Sequence, residues 1–255
     1  MVTHVCGTLP YRSKETGRYY APALRKVFEL FDVKNWIVAL EMGKGGYRHY
    51  QVRFDISGDF RAFFEWCKQN IPPFHIEEAS VPTDLCDYER KDGFFVSSAD
   101  TPEILSIRFG RLTPYQRDML ALVDTQNDRQ VDVWLDPKGN HGKSWTSIHL
   151  WERGQALVVP RYAVSPEKLS AFVCSAYKGQ PYIIIDIPRA SKPSKGLYEE
   201  IESLKDGLVF DTRYHGRTRN VRGAKVIIFT NTPLDKKALS HDRWRLHGIA
   251  WEEGE

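Results

Sequence analysis

No run of apolar residues in this 255-residue chain approaches the length of a membrane-spanning helix, so no membrane partner is expected. Cysteine is scarce: Cys6, Cys67, Cys86 and Cys174 are scattered, and none forms a C-x-x-C pair. That excludes a ribbon-type zinc site and a dithiol redox motif, and it fits a reducing intracellular setting. The first residues, Met1 to Gly7, lack the basic and apolar segments of a secretory signal. Internal repeats and low-complexity tracts are absent too. The chain is expected to work inside a cell.

The composition is that of an ordinary globular protein, with 42% hydrophobic and 27% charged residues. Aromatics reach 13%, which serves core packing first and base stacking second. The net charge is only +3, but it is unevenly spread. Between Asp206 and His247 there are nine Lys/Arg against four Asp/Glu. A basic stretch in a near-neutral chain suits either a phosphate-facing surface or a solvated charged face.

Two patterns of apolar residues divide the chain. Up to about residue 97 short strands alternate with amphipathic helices. Strands are predicted at 2–9, 35–41, 47–54, 75–79 and 94–97, and helices at 21–31, 59–70 and 83–91. This is an α+β pattern with antiparallel strand pairs. From Val131 the strands become continuous apolar runs (VDVWLD, ALVVP, YIIIDI, VIIFTN) with helical stretches between them, the pattern of a parallel sheet in an α/β domain. The polar stretch 98–130, with a helix at 117–123, separates the two, and the boundary is placed near residue 110: domains 1–110 and 111–255.

The first domain gathers residues with nicking chemistry. His49 and Gln51 lie two apart on a predicted strand and project from one face. Glu41 ends the strand before it. Imidazole, amide oxygen and carboxylate together suit Mg²⁺ or Mn²⁺ with positions left for phosphate and water. Tyr88 and Lys91, three apart, share one face of a predicted helix. A tyrosine hydroxyl beside a cation attacks a phosphodiester and leaves a 5′-phosphotyrosine and a free 3′-OH. A lone strand histidine is more often structural, and Y-x-x-K is common by chance. Their order along the chain carries the argument.

The second domain holds a nucleotide-binding pattern. Asp136 to Ser144 reads DPKGNHGKS, between a strand and a helix. Gly139, Asn140, His141 and Gly142 supply a turn whose N–H groups can cradle phosphate. Lys143 reaches the β and γ phosphates, and Ser144 the Mg²⁺ of an ATP–Mg²⁺ complex. Asp186 ends the strand YIIIDI, where a carboxylate holds the water shell of Mg²⁺. Asn231 ends VIIFTN and can orient water or sense the γ phosphate. Pro137 stands where the pattern has its first glycine, and Ile187 where a second acid is common.

Arg48-His49-Tyr50-Gln51 followed by Tyr88-Glu89-Arg90-Lys91 resembles the HUH endonuclease domain of Rep proteins from circular single-stranded DNA viruses. Cys6–Pro10 sits where that family has its first motif. The second half resembles the superfamily 3 helicase that accompanies it, an AAA+-like P-loop ATPase. DPKGNHGKSW, IIIDIPR and FTNT look most like the Reps of smacoviruses. The resemblance implies Tyr88 as nucleophile, Lys91 beside it, and Glu41, His49 and Gln51 as metal site. It places Asn231 in motif C and a DNA-contacting loop over Arg213–Lys225, with Arg217, Arg219 or Arg222 on backbone phosphate. Arg243 or Arg245 becomes an arginine finger for a neighbouring subunit of a homo-oligomer, a hexameric ring in the family. It further implies origin stem-loop and single-stranded DNA, ATP and host replication proteins as partners, and the nucleus as the site of action in a eukaryotic host. The rival readings are a helicase whose first domain only binds DNA, and a DNA-binding regulator without enzymatic activity.

Overall fold

The computed structural model describes residues 2–166, 168–190, 193–211 and 216–248. The chain divides into two compact units, Met1–Ser106 and Ile107–Glu255.

The first unit is built from β1 (Thr3–Pro10), α1 (Ala21–Leu30), β2 (Asn35–Met42), β3 (Arg48–Ile56), α2 (Phe60–Asn70), β4 (His75–Glu78) and β5 (Phe95–Ser97). The strands pair antiparallel in the order β4-β1-β3-β2-β5. Alternation along β3 gives the sheet two unlike faces. Val52, Phe54 and Ile56 point to one side, where they pack with Leu24, Val27 and Phe28 of α1 and Phe63 and Cys67 of α2. His49, Gln51, Arg53 and Asp55 alternate with them and take the other face. The Asp59 side chain accepts from the Ala62 N–H and starts α2. Gly7 is required where β1 meets β4: a Cβ there would come within 2.5 Å of the His75 carbonyl oxygen.

The second unit contains α4 (Pro114–Asp124), β6 (Val131–Leu135), α5 (Lys143–Glu152), β7 (Ala156–Val159), α6 (Lys168–Ala176), β8 (Tyr182–Ile187), α7 (Lys195–Asp206), β9 (Leu208–Asp211), β10 (Arg217–Asn220), β11 (Lys225–Thr230) and β12 (Trp244–Gly248), with α3 (Pro102–Arg108) spanning the division. Five strands pair parallel in the order β12-β6-β11-β8-β7. Their unbroken apolar runs follow from burial on both faces. Ile183 and Ile185 pack with Val226 and Ile228 in one core, while Ile184 packs with Ile227 and Phe229 in another. β9 and β10 form a separate antiparallel pair.

Three sequence expectations change. The helix expected over 83–91 is two separate 3-10 turns, Thr83–Leu85 and Tyr88–Arg90. Cys86 between them is extended, with φ −107° and ψ 124°, and no apolar stripe in this segment sustains a helix. The stretch 98–130 carries α3, which has no motif, and α4, which starts three residues before the expected 117. A capping box between Thr113 and Gln116, with Pro114 in the first turn, nucleates it there. The basic segment after α7 is the β9–β10 hairpin, and residues 212–215, including Arg213, lie outside the described residues.

Candidate active sites

The polar face of the first sheet carries the first site. Glu41 and His49 are direct partners across the β2–β3 ladder, and Ala39 and Gln51 are the next pair on that face. Register, not proximity in sequence, therefore brings Glu41 to the His49–Gln51 side. Glu41 is buried, its Oε2 lying 3.8 Å from His49 Nε2 and 2.9 Å from Lys91 Nζ. Gln51 Oε1 accepts from Thr8 Oγ1 at 3.0 Å, which leaves that oxygen a second lone pair.

Tyr88 is half exposed, on a turn held to the sheet. Lys91 Nζ lies 3.6 Å from the centre of the Tyr88 ring. Burial pulls the Lys91 pKa down, but hydrogen bonds to Tyr88 and Glu41 outweigh it and hold the ammonium above its ordinary value. The structure thus brings all five expected residues together, with a 3-10 turn in place of the helix.

Two atoms mark this site as suited to a cation. Glu41 Oε1 and His49 Nδ1 are buried with no hydrogen-bond partner, a state that proteins usually avoid. Among the described residues no group of three or more His, Cys, Asp or Glu side chains gathers as a metal site. A cation here depends on the Gln51 amide as its third protein donor. Hard oxygen and imidazole donors fit Mg²⁺ or Mn²⁺.

Sequence reasoning missed the residues that hold the turn. Arg53, two beyond Gln51 on the same face of β3, donates from Nε to Glu89 Oε1 at 3.0 Å. Asp55, two further on, accepts from the Thr83 hydroxyl at 2.8 Å and faces His4 Nδ1 at 2.9 Å. The period-two spacing 49, 51, 53, 55 was the available signal.

The second site lies beyond the C-terminal end of β6. Gly139, Asn140 and Gly142 all have positive φ, 82°, 65° and 74°. Glycine is needed at 142, which caps α5 in the left-handed region, and where a Cβ would also crowd Gln116 Nε2 at 3.0 Å. The loop already holds an anion of its own. Asp136 is almost fully buried. Its carboxylate accepts the Gly139 N–H at 2.7 Å, faces His141 Nδ1 at 2.6 Å and pairs with Lys143. Burial pushes its pKa up, but these partners outweigh burial and hold it below the usual carboxylate range.

Asn231, just past β11, donates to the Asp136 carbonyl oxygen at 2.6 Å. β11 lies between β6 and β8, which puts Asn231 beside the loop. Lys143, Ser144 and Asp186 line one cavity of about 210 Å³. Asp186 also meets Arg161 at 3.4 Å. Arg189, which the motif analysis overlooked, donates to the Pro137 carbonyl oxygen at 2.8 Å.

The basic residues divide differently from expectation. Arg217 is exposed on β10. Arg219 donates to the Cys174 carbonyl oxygen near the end of α6, from Nε at 3.3 Å and Nη2 at 3.2 Å. Arg222 lies 3.6 Å from Asp128 on the surface. Arg243 is buried, held by Glu202 at 2.9 Å and Asp206 at 3.0 Å. Arg245 pairs with the buried Asp132 at 3.2 Å. Both side chains lie at the start of β12, at the opposite end of the sheet from the 136–144 loop.

Comparison with known proteins follows the same direction. No family model matches the chain. It is 28% identical over 140 residues to the protein named Para-Rep C10 of Milk vetch dwarf C10 alphasatellite, covering 53% of this chain and 47% of that protein. It is 26% identical over 131 residues to the master replication protein of Subterranean clover stunt virus, covering 51% and 43%. With the master replication protein of Banana bunchy top virus it shares 27% over 115 residues, covering 45% and 38%. The chain thus spans about half the length of the curated relatives it matches. Over that half, it is similar to the replication proteins of circular single-stranded DNA viruses.

Proposed function

We propose that this chain initiates rolling-circle replication, nicking and rejoining single-stranded DNA in its first unit and using ATP to unwind DNA in its second. The observation that carries the nicking half is the meeting of Glu41, His49, Gln51 and the Tyr88–Lys91 turn on one sheet face. A bound Mg²⁺ or Mn²⁺ supplies positive charge to polarise the scissile phosphodiester. Glu41, His49 and Gln51 are the residues that would hold it. The Tyr88 hydroxyl oxygen attacks phosphorus, forming a Tyr–O–P bond. The bond to the 3′ oxygen breaks, and that oxygen leaves as a 3′-OH with the proton given up by tyrosine. Lys91 stays an ammonium and offsets charge that grows on the phosphate and the phenolic oxygen. Attack by a 3′-OH on the phosphotyrosine runs the step backwards and rejoins the strand without ATP. Circle closure uses this reversal at Tyr88 or the Tyr88 of a second copy.

The internal anion of the 136–144 loop supports the ATPase half. The Gly139 N–H, His141 and Lys143 that gather one carboxylate can gather a phosphate instead. Ser144 and Asp186, which line the same cavity, would hold the Mg²⁺ of the nucleotide. The β9–β10 hairpin, with half-exposed Phe210 and exposed Arg217, offers a surface for DNA backbone and bases. Single-stranded and origin stem-loop DNA, ATP, further copies of the chain and host replication proteins are the partners of this activity.

The test incubates the full chain with Mn²⁺ and a labelled random-sequence single-stranded DNA library. A protein–DNA adduct that survives denaturation, and is absent with Tyr88→Phe, is the expected result. No adduct with the wild type, or an adduct retained by Tyr88→Phe, would overturn the nicking half. ATP turnover unresponsive to single-stranded DNA would overturn the other.

A further inference from the structure

Tyr88 belongs to a single 3-10 turn, and such a turn has little rigidity of its own. The catalytic groups of a phosphoryl-transfer site must nevertheless hold still to within a fraction of an ångström. Something other than local helix must fix this tyrosine. Its neighbour Glu89 points the opposite way. While Tyr88 is 53% exposed, the Glu89 side chain is 0% exposed, driven down onto the polar face of the sheet. There Oε1 accepts from Arg53 Nε at 3.0 Å. The same guanidinium donates from Nη1 to the Val81 carbonyl oxygen at 3.1 Å. One side chain on β3 thus ties down both the turn that carries Tyr88 and the segment that leads into it.

We infer that the buried Arg53–Glu89 pair is the positioning device for Tyr88, setting the nucleophile against the metal-site residues of the same strand. The inference rests on the nicking role proposed for Tyr88. Three features carry it. Arg53 shares a strand and a face with His49 and Gln51, so one rigid element sets both the metal site and the turn. The turn is pinned on both sides of Tyr88's outward side chain, by Glu89 on Arg53 and by Lys91 on Glu41 at 2.9 Å. The pair is also poorly optimised for stability alone: Glu89 Oε2 is buried with no hydrogen-bond partner. An apolar pair of the same volume would fill this space without that penalty. The directed, charge-assisted bonds of a guanidinium give what apolar contact does not, a fixed orientation.

The experiment uses the full chain as wild type, Arg53→Met, Arg53→Lys and the apolar double variant Arg53→Met/Glu89→Leu. Three quantities are read: the single-turnover rate of adduct formation with Mn²⁺ and saturating single-stranded DNA library, the affinity for that DNA, and amide hydrogen exchange over 86–93. Arg53→Met is expected to slow adduct formation roughly 100-fold, the scale of an ångström-sized misplacement, with DNA affinity unchanged and faster exchange over 86–93. Arg53→Lys keeps the charge but loses the fork, and falls between. The double variant melts as high as wild type yet stays slow. Wild-type rates from the double variant would overturn the inference, because filling the space would then be enough. Failure of the nicking role is distinguishable. If the wild type forms no adduct, the exchange data still decide, and unchanged exchange over 86–93 in Arg53→Met overturns the pinning of the turn.

Discussion

The two candidate sites handle anions by opposite means. In the first unit the work falls to side chains on strands, where ladder register and period-two alternation decide what meets: Glu41 faces His49 because β2 and β3 pair in that register. In the second unit it falls to a loop with positive φ at Gly139, Asn140 and Gly142, where the Gly139 N–H turns onto the Asp136 carboxylate. The first site sits on the face of an antiparallel sheet, the second at the C-terminal ends of parallel strands. An antiparallel sheet can leave one face polar, and this one uses it. A parallel sheet buried on both faces keeps its chemistry at its ends.

That contrast makes the sites separable by mutation. Tyr88→Phe removes the proposed nucleophile. Covalent adduct formation should fall by roughly 10⁴-fold or more, while ATP turnover stays at the wild-type rate. Lys143→Ala should do the converse, lowering ATP turnover by about 10²–10³-fold without touching adduct formation. A variant that disables both activities would break the separation.

Stability sharpens the comparison. Phe54 fills the helix-covered face beneath the first site, and Phe54→Ala should destabilise the first unit by about 3–5 kcal/mol, read as a shift in its urea transition with that of the second unit unmoved. The second unit has a pH signature of its own. Lys205 is buried, donating to Gln126 Oε1 at 2.8 Å and the Ala224 carbonyl oxygen at 3.2 Å. Burial pushes its pKa down to about 8 from 10.5. Between these values the unfolded chain binds a proton that the folded chain does not, so stability rises with pH across this window. From pH 8 to 9.5 Lys205 alone should add about 2 kcal/mol to the second unit, partly offset by Cys174, whose thiol burial holds protonated in the folded chain, and Lys205→Met should remove the Lys205 rise. Above pH 10 the trend turns, because burial and the Asp124 partner hold Tyr182 protonated in the folded chain alone.

The smallest effect concerns Asp136. Its carboxylate occupies donors that the proposed nucleotide phosphate would use. Asp136→Asn removes the competing charge and should tighten binding of a fluorescent ATP analogue by about 1 kcal/mol, the scale of one ordinary hydrogen bond. Weaker binding would mean that the carboxylate serves to shape the loop.

Much of this was legible from residue order. Alternation gave the β3 faces, and the apolar runs gave β6, β7, β8 and β11. Glu41, His49, Gln51, Tyr88 and Lys91 could be named because their chemistry is distinctive. What could not be read was pairing at a distance. Arg53 and Glu89 are 36 positions apart, and Asp136 looked like part of a motif instead of its occupant. The arginines show the same limit from the other side. Counting guanidiniums does not tell Arg217, which is exposed, from Arg243, which is buried against two carboxylates. Charge along a sequence is additive; its availability is set by the fold.

The most direct measurement is to digest the adduct with protease and nuclease and locate the attached nucleotide by mass spectrometry. The account predicts a single 5′-phosphate on the peptide containing Tyr88. A nucleotide on any other residue, or an attachment through a 3′-phosphate, would contradict it.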